Sequence, residues 1–247
     1  MKTYQHIVEI LGVLKLKGIL KSLDEIVGEA EAEKFSYLTL LHALLKAEIS
    51  YRAERRYKRN LAAAHFPIPK TLDSFEFGRV KGITKADIAQ LLDFRWLDNH
   101  ENLLFFGPPG LGKSHLSIAL GIKAIEQGYT VCFEKIVNLI KLLKTQDIQR
   151  TAGFRINRIV RSDLLIIDEI GYTPIDRKEA NLFFNLVSEL YEKKSIIITS
   201  NKGFENWAEM MGDGVMTTAL LDRLLHHARV FNLDGESYRI QRKEEGE

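Results

Sequence analysis

Residues 107 to 114 read GPPGLGKS and match G-x-x-x-x-G-K-[ST], with the apolar run NLLFF directly before them and the helical stretch HLSIALGIKAIEQ directly after. A loop between strand and helix turns successive backbone N–H groups inward. Glycines at 107, 110 and 112 permit the close approach and positive φ that such an anion nest needs. The positive end of the helix beginning near Lys113 adds its own attraction. Gly107, Pro108, Pro109, Gly110, Leu111 and Gly112 are therefore the expected phosphate cradle. Lys113 should reach the β- and γ-phosphates of ATP, Ser114 Oγ should ligate Mg²⁺, and His115, next in line, is counted with the nucleotide-binding residues. Further along, LLIIDE at 164–169 places two acids at the carboxyl end of an apolar run, where open α/β sheets bind ligands. Asp168 can hold Mg²⁺ through its water shell, and Glu169 can orient or deprotonate an attacking water. Taken alone, such acids are as readily just solvated; the upstream loop favours the functional reading.

Two more residues could act on the same phosphates. The run SIIITS ends one step before Asn201, which could hydrogen-bond the γ-phosphate or the lytic water, or simply form a turn before Gly203. In TTALLDRLLHHARV, Arg223 points away from the stripe Leu220, Leu221, Leu224 and Leu225. It either pairs with Asp222 or Glu236 at the surface, which would contribute little, or reaches a neighbouring copy's nucleotide as an arginine finger. His226 and His227, being adjacent, should not share a helix face as metal ligands. Cys132 reads as a small buried hydrophobe rather than a nucleophile.

The elements that must position these groups are legible as texture. From Ile7 to Asn60 apolar residues recur at three- and four-residue spacing, which predicts two or three helices. Residues 65–77, HFPIPKTLDSFEF, read as the linker that follows. Beyond it come continuous apolar runs at 102–106, 130–133, 163–168, 195–200 and 229–233, separated by helical periods. Continuous apolarity predicts strands covered on both faces, joined by βα crossovers. The expected fold is α/β, a sandwich around a mostly parallel five-stranded sheet (67–247), preceded by a small all-α domain (1–66). Asp176 and Glu179 have capping-box spacing for the helix that carries Phe183, Leu186 and Leu190.

With 45% hydrophobic and 28% charged residues, the chain can bury a core and is not of disordered composition. No apolar run approaches the roughly 20 residues of a membrane span. One cysteine fits a reducing, cytoplasmic setting. Charge is unevenly placed: residues 1–70 hold 12 Lys and Arg against 8 Asp and Glu, whereas the remainder holds 23 against 25. Arg52, Arg55, Arg56 and Arg59 fall at helical offsets 0, 3, 4 and 7, a face suited to the phosphates of double-stranded DNA; a solvated face paired with Glu48 and Glu54 is the alternative. A second basic set, Lys135, Lys141, Lys144, Arg150, Arg155, Arg158 and Arg161, lies between the second and third long runs.

GPPGLGKSHL, LLIIDEIGY, ITSN and LLDRLLHH, followed by the triplet at 237–239 and preceded by a helical region with an LKLKG segment, resemble the IstB helper ATPases of bacterial insertion sequences, relatives of the DnaC helicase loaders and DnaA initiators. The resemblance spans nearly the whole chain. It implies an AAA+ fold with Walker A at 107–114, Walker B at Asp168 and Glu169, sensor 1 at Asn201 and a trans-acting Arg223. It also lays the piece TLDSFEF against adenine, with Phe75 and Phe77 as contacts, and the second basic set, Lys141 and Lys144 included, near DNA. Only 24 residues follow Arg223, so a lid-borne sensor 2 is not assignable. The function implied is a Mg-dependent ATPase forming a homo-oligomer on target DNA and delivering it to a cognate transposase. The alternatives are helicase loading and, less favoured, a small-molecule kinase, which should carry an arginine-rich lid after the third long run.

Overall fold

The computed structural model describes residues 2–171, 174–235 and 237. Tyr172, Glu236, Tyr238, Arg239 and the polar tail, all part of the sequence reading, lie outside the described residues. The chain divides into two compact units, Met1–Arg59 and Asn60–Glu247, so the division falls before the sequence-based boundary at 66/67.

Three helices build the first unit: α1 (Lys2–Val13), α2 (Lys17–Glu33) and the long α3 (Tyr37–Ala64), whose residues from Asn60 onward belong to the second unit. Their apolar faces meet at Leu11, Ile19 and Leu23, with Val8, Val27 and Leu44 against them. Gly18, in the LKLKG segment, is fixed by a close approach: a Cβ there would lie 2.7 Å from both Glu48 Cα and Tyr51 Cβ. That approach lets the Glu48 carboxylate accept from the amides of Gly18 (2.6 Å) and Ile19 (3.2 Å), capping the N-terminus of α2. Its other oxygen accepts from Arg52 Nε at 2.6 Å. Burial opposes ionisation of this carboxyl, yet the Arg52 bond and the two amides outweigh it and hold the group below the usual carboxylate range.

The second unit holds a five-stranded sheet. Its strands are β2 (Asn102–Phe106), β3 (Val131–Lys135), β4 (Leu164–Ile170), β5 (Ser195–Ser200) and β6 (Ala228–Asn232), following a short β1 (Val80–Lys81) and preceding a short β7 (Asp234–Gly235). The spatial order is β3-β4-β5-β2-β6 with every neighbour parallel, as the continuous apolar runs predict. Two small helices, α4 (Lys85–Leu91) and α5 (Arg95–Asp98), lead into β2. Alternate residues face opposite sides. Leu104, Leu165, Ile167, Ile196 and Ile198 face a core shared with α7 (Ile136–Thr145), α8 (Arg150–Arg161), α9 (Arg177–Leu190), α10 (Trp207–Met211) and α11 (Gly214–Leu225). From the other side α6 (Lys113–Gln127) packs on β3, β4 and β5, with Gly121 against Ile166. The expected box opens α9: Asp176 accepts from the Glu179 amide at 2.9 Å and Glu179 accepts from the Asp176 amide at 3.1 Å. Among the described residues no helix is long and apolar enough to cross a membrane.

Part of the second basic set does not face outward. Arg155 lies on the apolar stripe of α8 with Ala152, Ile156 and Ile159 and is 8% exposed. Its guanidinium donates to Glu134 (2.6 Å), to the Phe133 carbonyl (3.0 Å) and to the Ala63 and Ala64 carbonyls at the end of α3 (2.9 and 3.3 Å). Arg155 is therefore structural and leaves the DNA-facing set. Removing one member strands the other: Arg155→Leu is expected to destabilise the protein by about 3–5 kcal/mol, read by urea denaturation. A loss under about 1 kcal/mol would mean that Glu134 takes up its proton or finds water instead. Cys132 beside it is fully buried, and burial pushes its thiol up, as suits a hydrophobe.

Candidate active site

The carboxyl ends of β4, β5 and β2 stand side by side, so the parallel register alone gathers the residues singled out by the sequence. The 107–114 loop leaves β2 and enters α6, with φ of +136°, +89° and +80° at Gly107, Gly110 and Gly112. Pro108, Pro109 and Leu111 complete the turn, Leu111 being buried. Lys113 folds back under the loop, its Nζ donating to the carbonyls of Gly107 (2.6 Å) and Pro108 (2.7 Å). Ser114 Oγ donates to Asp168 Oδ1 at 2.6 Å, and Thr199 Oγ1 donates to the same oxygen at 2.5 Å. Asp168, 2% exposed, thus receives two hydroxyls from neighbouring elements. In the sequence Thr199 is one residue of the apolar run 195–200, and its role depends on register.

Glu169 is held by a bulge. Between Ile167 and Ile170 β4 carries one more residue than β5, and Glu169 takes φ +65°. Its amide donates to Thr199 Oγ1 at 3.0 Å, which pins the bulge and aims the side chain away from the strand line. The carboxylate is met by Lys135 Nζ at 2.9 and 3.0 Å. Lys135 therefore belongs to this site and is withdrawn from the DNA-facing set. Asn201 follows the strand between β4 and β2; its Oδ1 is buried and has no hydrogen-bond partner among the described residues. A buried acceptor left unsatisfied in this place, two hydroxyls converging on one carboxylate and a glycine nest with a lysine beneath it together fit a magnesium-bound triphosphate. The glycine nest, Lys113 and Ser114 would hold the phosphates, and Ser114 with Asp168 the metal.

The linker is tied to the same loop. His115 Nε2 bonds the Thr71 carbonyl at 2.7 Å and Ser74 Oγ at 3.3 Å. Phe75 is buried against Gly112, where a Cβ would come within 2.5 Å of its ring, and lies edge-on to His115 and Phe77. Phe77 is partly exposed.

Arg223 is elsewhere. Asn102, the first residue of β2, donates to the Leu224 carbonyl at 3.0 Å, which sets the end of α11 at the amino edge of the sheet. The length of β2 separates it from the phosphate loop, about 15 Å. Its guanidinium lies over the Phe184 ring (4.6 Å) and donates to the Ala219 carbonyl (3.0 Å). His226 and His227 follow α11 rather than lie on it, so the helix-face argument does not apply to them. Their ligand atoms and that of Glu192 lie within 4.8 Å of one another, all exposed, and His226 Nδ1 bonds the Tyr191 hydroxyl at 2.6 Å.

Of the basic sets, Arg52, Arg55, Arg56 and Arg59 are exposed. Arg52 is shared with Glu48, Lys58 pairs with Glu54, and Arg55 lies over Tyr51. Lys141 and Lys144 are exposed on α7, Lys144 bonding Glu179 at 2.8 Å.

Among solved structures the fold resembles DnaI (TM-score 0.56, 15% identity, 67% of this chain and 91% of that one) and the DnaC helicase loader (TM-score 0.51, 19% identity, 72% and 99%). The fold is accordingly AAA+. By sequence the chain is 39% identical over 234 residues to the ATP-binding protein of insertion sequence IS21 in Pseudomonas aeruginosa, covering 95% of this chain and 88% of that one. It is 40% identical over 214 residues to the corresponding protein of IS5376 in Geobacillus stearothermophilus, covering 87% and 85%. The family model for IstB-like ATP binding proteins matches residues 9–246, and this chain belongs to that family.

Proposed function

We propose that the protein is a Mg²⁺-dependent ATPase that assembles in several copies on duplex DNA and presents that DNA to the transposase of its own insertion sequence. The observation that carries the enzymatic half is the convergence of Ser114 and Thr199 on Asp168 at the mouth of a glycine nest. In this reading Lys113 and the loop amides bind the β- and γ-phosphates, and Mg²⁺, when bound, neutralises charge on their oxygens. Glu169 accepts the proton of the attacking water. Asn201 offers its unsatisfied Oδ1 to that water or, through its Nδ2, a donor to the γ-phosphate. Arg223, far from the chain's own loop, serves the nucleotide of an adjoining copy, which makes turnover depend on assembly. The names of the relatives, ATP-binding proteins of insertion sequences, support the transposition setting.

The arginine face of α3 supports the DNA half. Arg55, Arg56 and Arg59 have no ion pair among the described residues, while Arg52 has its Nε on Glu48. Three neutralised phosphates per protomer give an expected slope of log K against log salt of about −2.7, rising to about −3.6 if the remaining Arg52 donors also engage. Changing Arg55, Arg56 and Arg59 to Ala should flatten it; an unchanged slope takes this face out of the DNA site. The whole proposal is tested by ATP turnover measured with and without duplex across a range of protein concentration. The rate per protomer should rise with both. A rate indifferent to both would leave an ATP-binding protein without the assembly mechanism, and dependence on a small acceptor would instead indicate a kinase.

A further inference from the structure

The phosphate loop is clasped by the segment that follows β6. Directly after β6 the Leu233 amide donates to the Phe106 carbonyl at 2.7 Å, and the chain then runs along the loop. A Cβ on Gly107 would lie 2.1 Å from the Leu233 carbonyl oxygen, and one on Gly110 would lie 2.0 Å from Ser237 Oγ. The same segment is fixed from its far side. β7 pairs antiparallel with β1, Val80 opposite Gly235 and Lys81 opposite Asp234. A Cβ on Gly82 would lie 1.8 Å from the Asn232 carbonyl, and one on Gly235 would lie 2.3 Å from the Arg79 carbonyl. All four of these glycines have positive φ. The strip that β1 ends begins at Phe75, which packs on Gly112. Two stretches, 75–82 and 232–235, are thus joined by a small sheet, and with Ser237 they touch the loop at each of its three glycines.

At Gly82, Gly107 and Gly235 the neighbour is backbone and at Gly110 it is the Ser237 side chain, so no side chain fits between loop and segment and a shift of one is felt by the other. The loop amides that receive phosphate are seated on Gly107 and Gly110, so what presses on those glycines sets where the amides point. We propose that Leu233–Gly235 and Ser237 form a wall of the nucleotide site supplied by the same chain, and that Ser237 is a positioning residue for the loop that binds the triphosphate. It rests on the ATP reading given above. Because coupling is reciprocal, nucleotide in the loop must also hold the segment more tightly.

The test compares wild type with Ser237→Ala and Ser237→Glu in the full chain, titrated with a fluorescent ATP analogue and with its ADP counterpart. Amide hydrogen exchange over 233–237 is followed with and without ATP. Ser237→Glu sets a carboxylate against the loop and should weaken ATP by at least about tenfold and ADP less, since ADP carries fewer charges. Ser237→Ala should weaken both by a few-fold. The ligand-free melting temperatures should match wild type, and exchange over 233–237 in wild type should slow with ATP. A purely structural role would lower the melting temperature and weaken ATP and ADP alike, which overturns the proposal. So does Ser237→Glu binding ATP within twofold of wild type. Should wild type itself fail to bind ATP, it is the nucleotide reading that falls.

Discussion

Lys113→Ala is expected to lose ATP binding by about 100-fold or more while remaining folded. In the free protein the ammonium sits under the loop, 8% exposed, and donates to the carbonyls of Gly107 and Pro108. Those two bonds offset the cost of burying the charge without greatly exceeding it, so their removal should change stability by no more than about 1–2 kcal/mol. A triphosphate alters the comparison, because the ammonium then meets full negative charges beside a loop whose Leu111 and neighbouring Phe75 are buried. A charge-assisted contact of this kind contributes about 3 kcal/mol, which is a little over two decades in Kd. Titration with a fluorescent ATP analogue beside a urea melt separates the two effects. If Lys113→Ala bound ATP within about threefold of wild type, the backbone nest would be sufficient by itself, and the lysine would be a prop for the empty loop only.

How much of this was legible in the sequence depends on whether a signal is local. β2 and β5 match their apolar runs because both are bounded by polar or turn-forming residues on each side. The AAA+ fold and the family follow from motifs whose spacing reflects one piece of chemistry, and both expectations hold. The bulge at Glu169 has no local signal: it is set by a hydroxyl on Thr199, thirty positions away, and by the register of β4 against β5. The pairing of β1 with β7 involves two residues on each side, too few for any period to show. Arg155 was a different kind of miss. Its charge suggested an outward face, yet its place between Ala152, Ile156 and Ile159 at helical spacing already put it on the buried stripe of α8. Lys135 could be assigned only once β3 lay beside β4, with Lys135 opposite Asp168. Burial of a basic residue and pairing across strands are tertiary facts, and the sequence carries the first only as periodicity.

Glu169→Gln should give the opposite phenotype to Lys113→Ala: ATP bound within about threefold of wild type, and turnover reduced by about 10² to 10⁴. The substitution keeps the size of the side chain, and the amide oxygen can still accept from Lys135, so the bulge pinned by Thr199 should persist. The groups that would hold the phosphates and the metal, Lys113, Ser114 and Asp168, are untouched. What disappears is a carboxylate able to take a proton. Single-turnover hydrolysis under saturating ATP reads this loss directly, apart from assembly and product release. On duplex DNA the same variant should remain as a long-lived oligomer in ATP, because the step that would dissolve it is the one removed; mass photometry would show the large species persisting after wild type has fallen back to small ones. Turnover within tenfold of wild type would place the base on another residue. A large loss of ATP affinity would mean instead that the Glu169–Lys135 pair helps to shape the loop and that its charge matters before any water is activated.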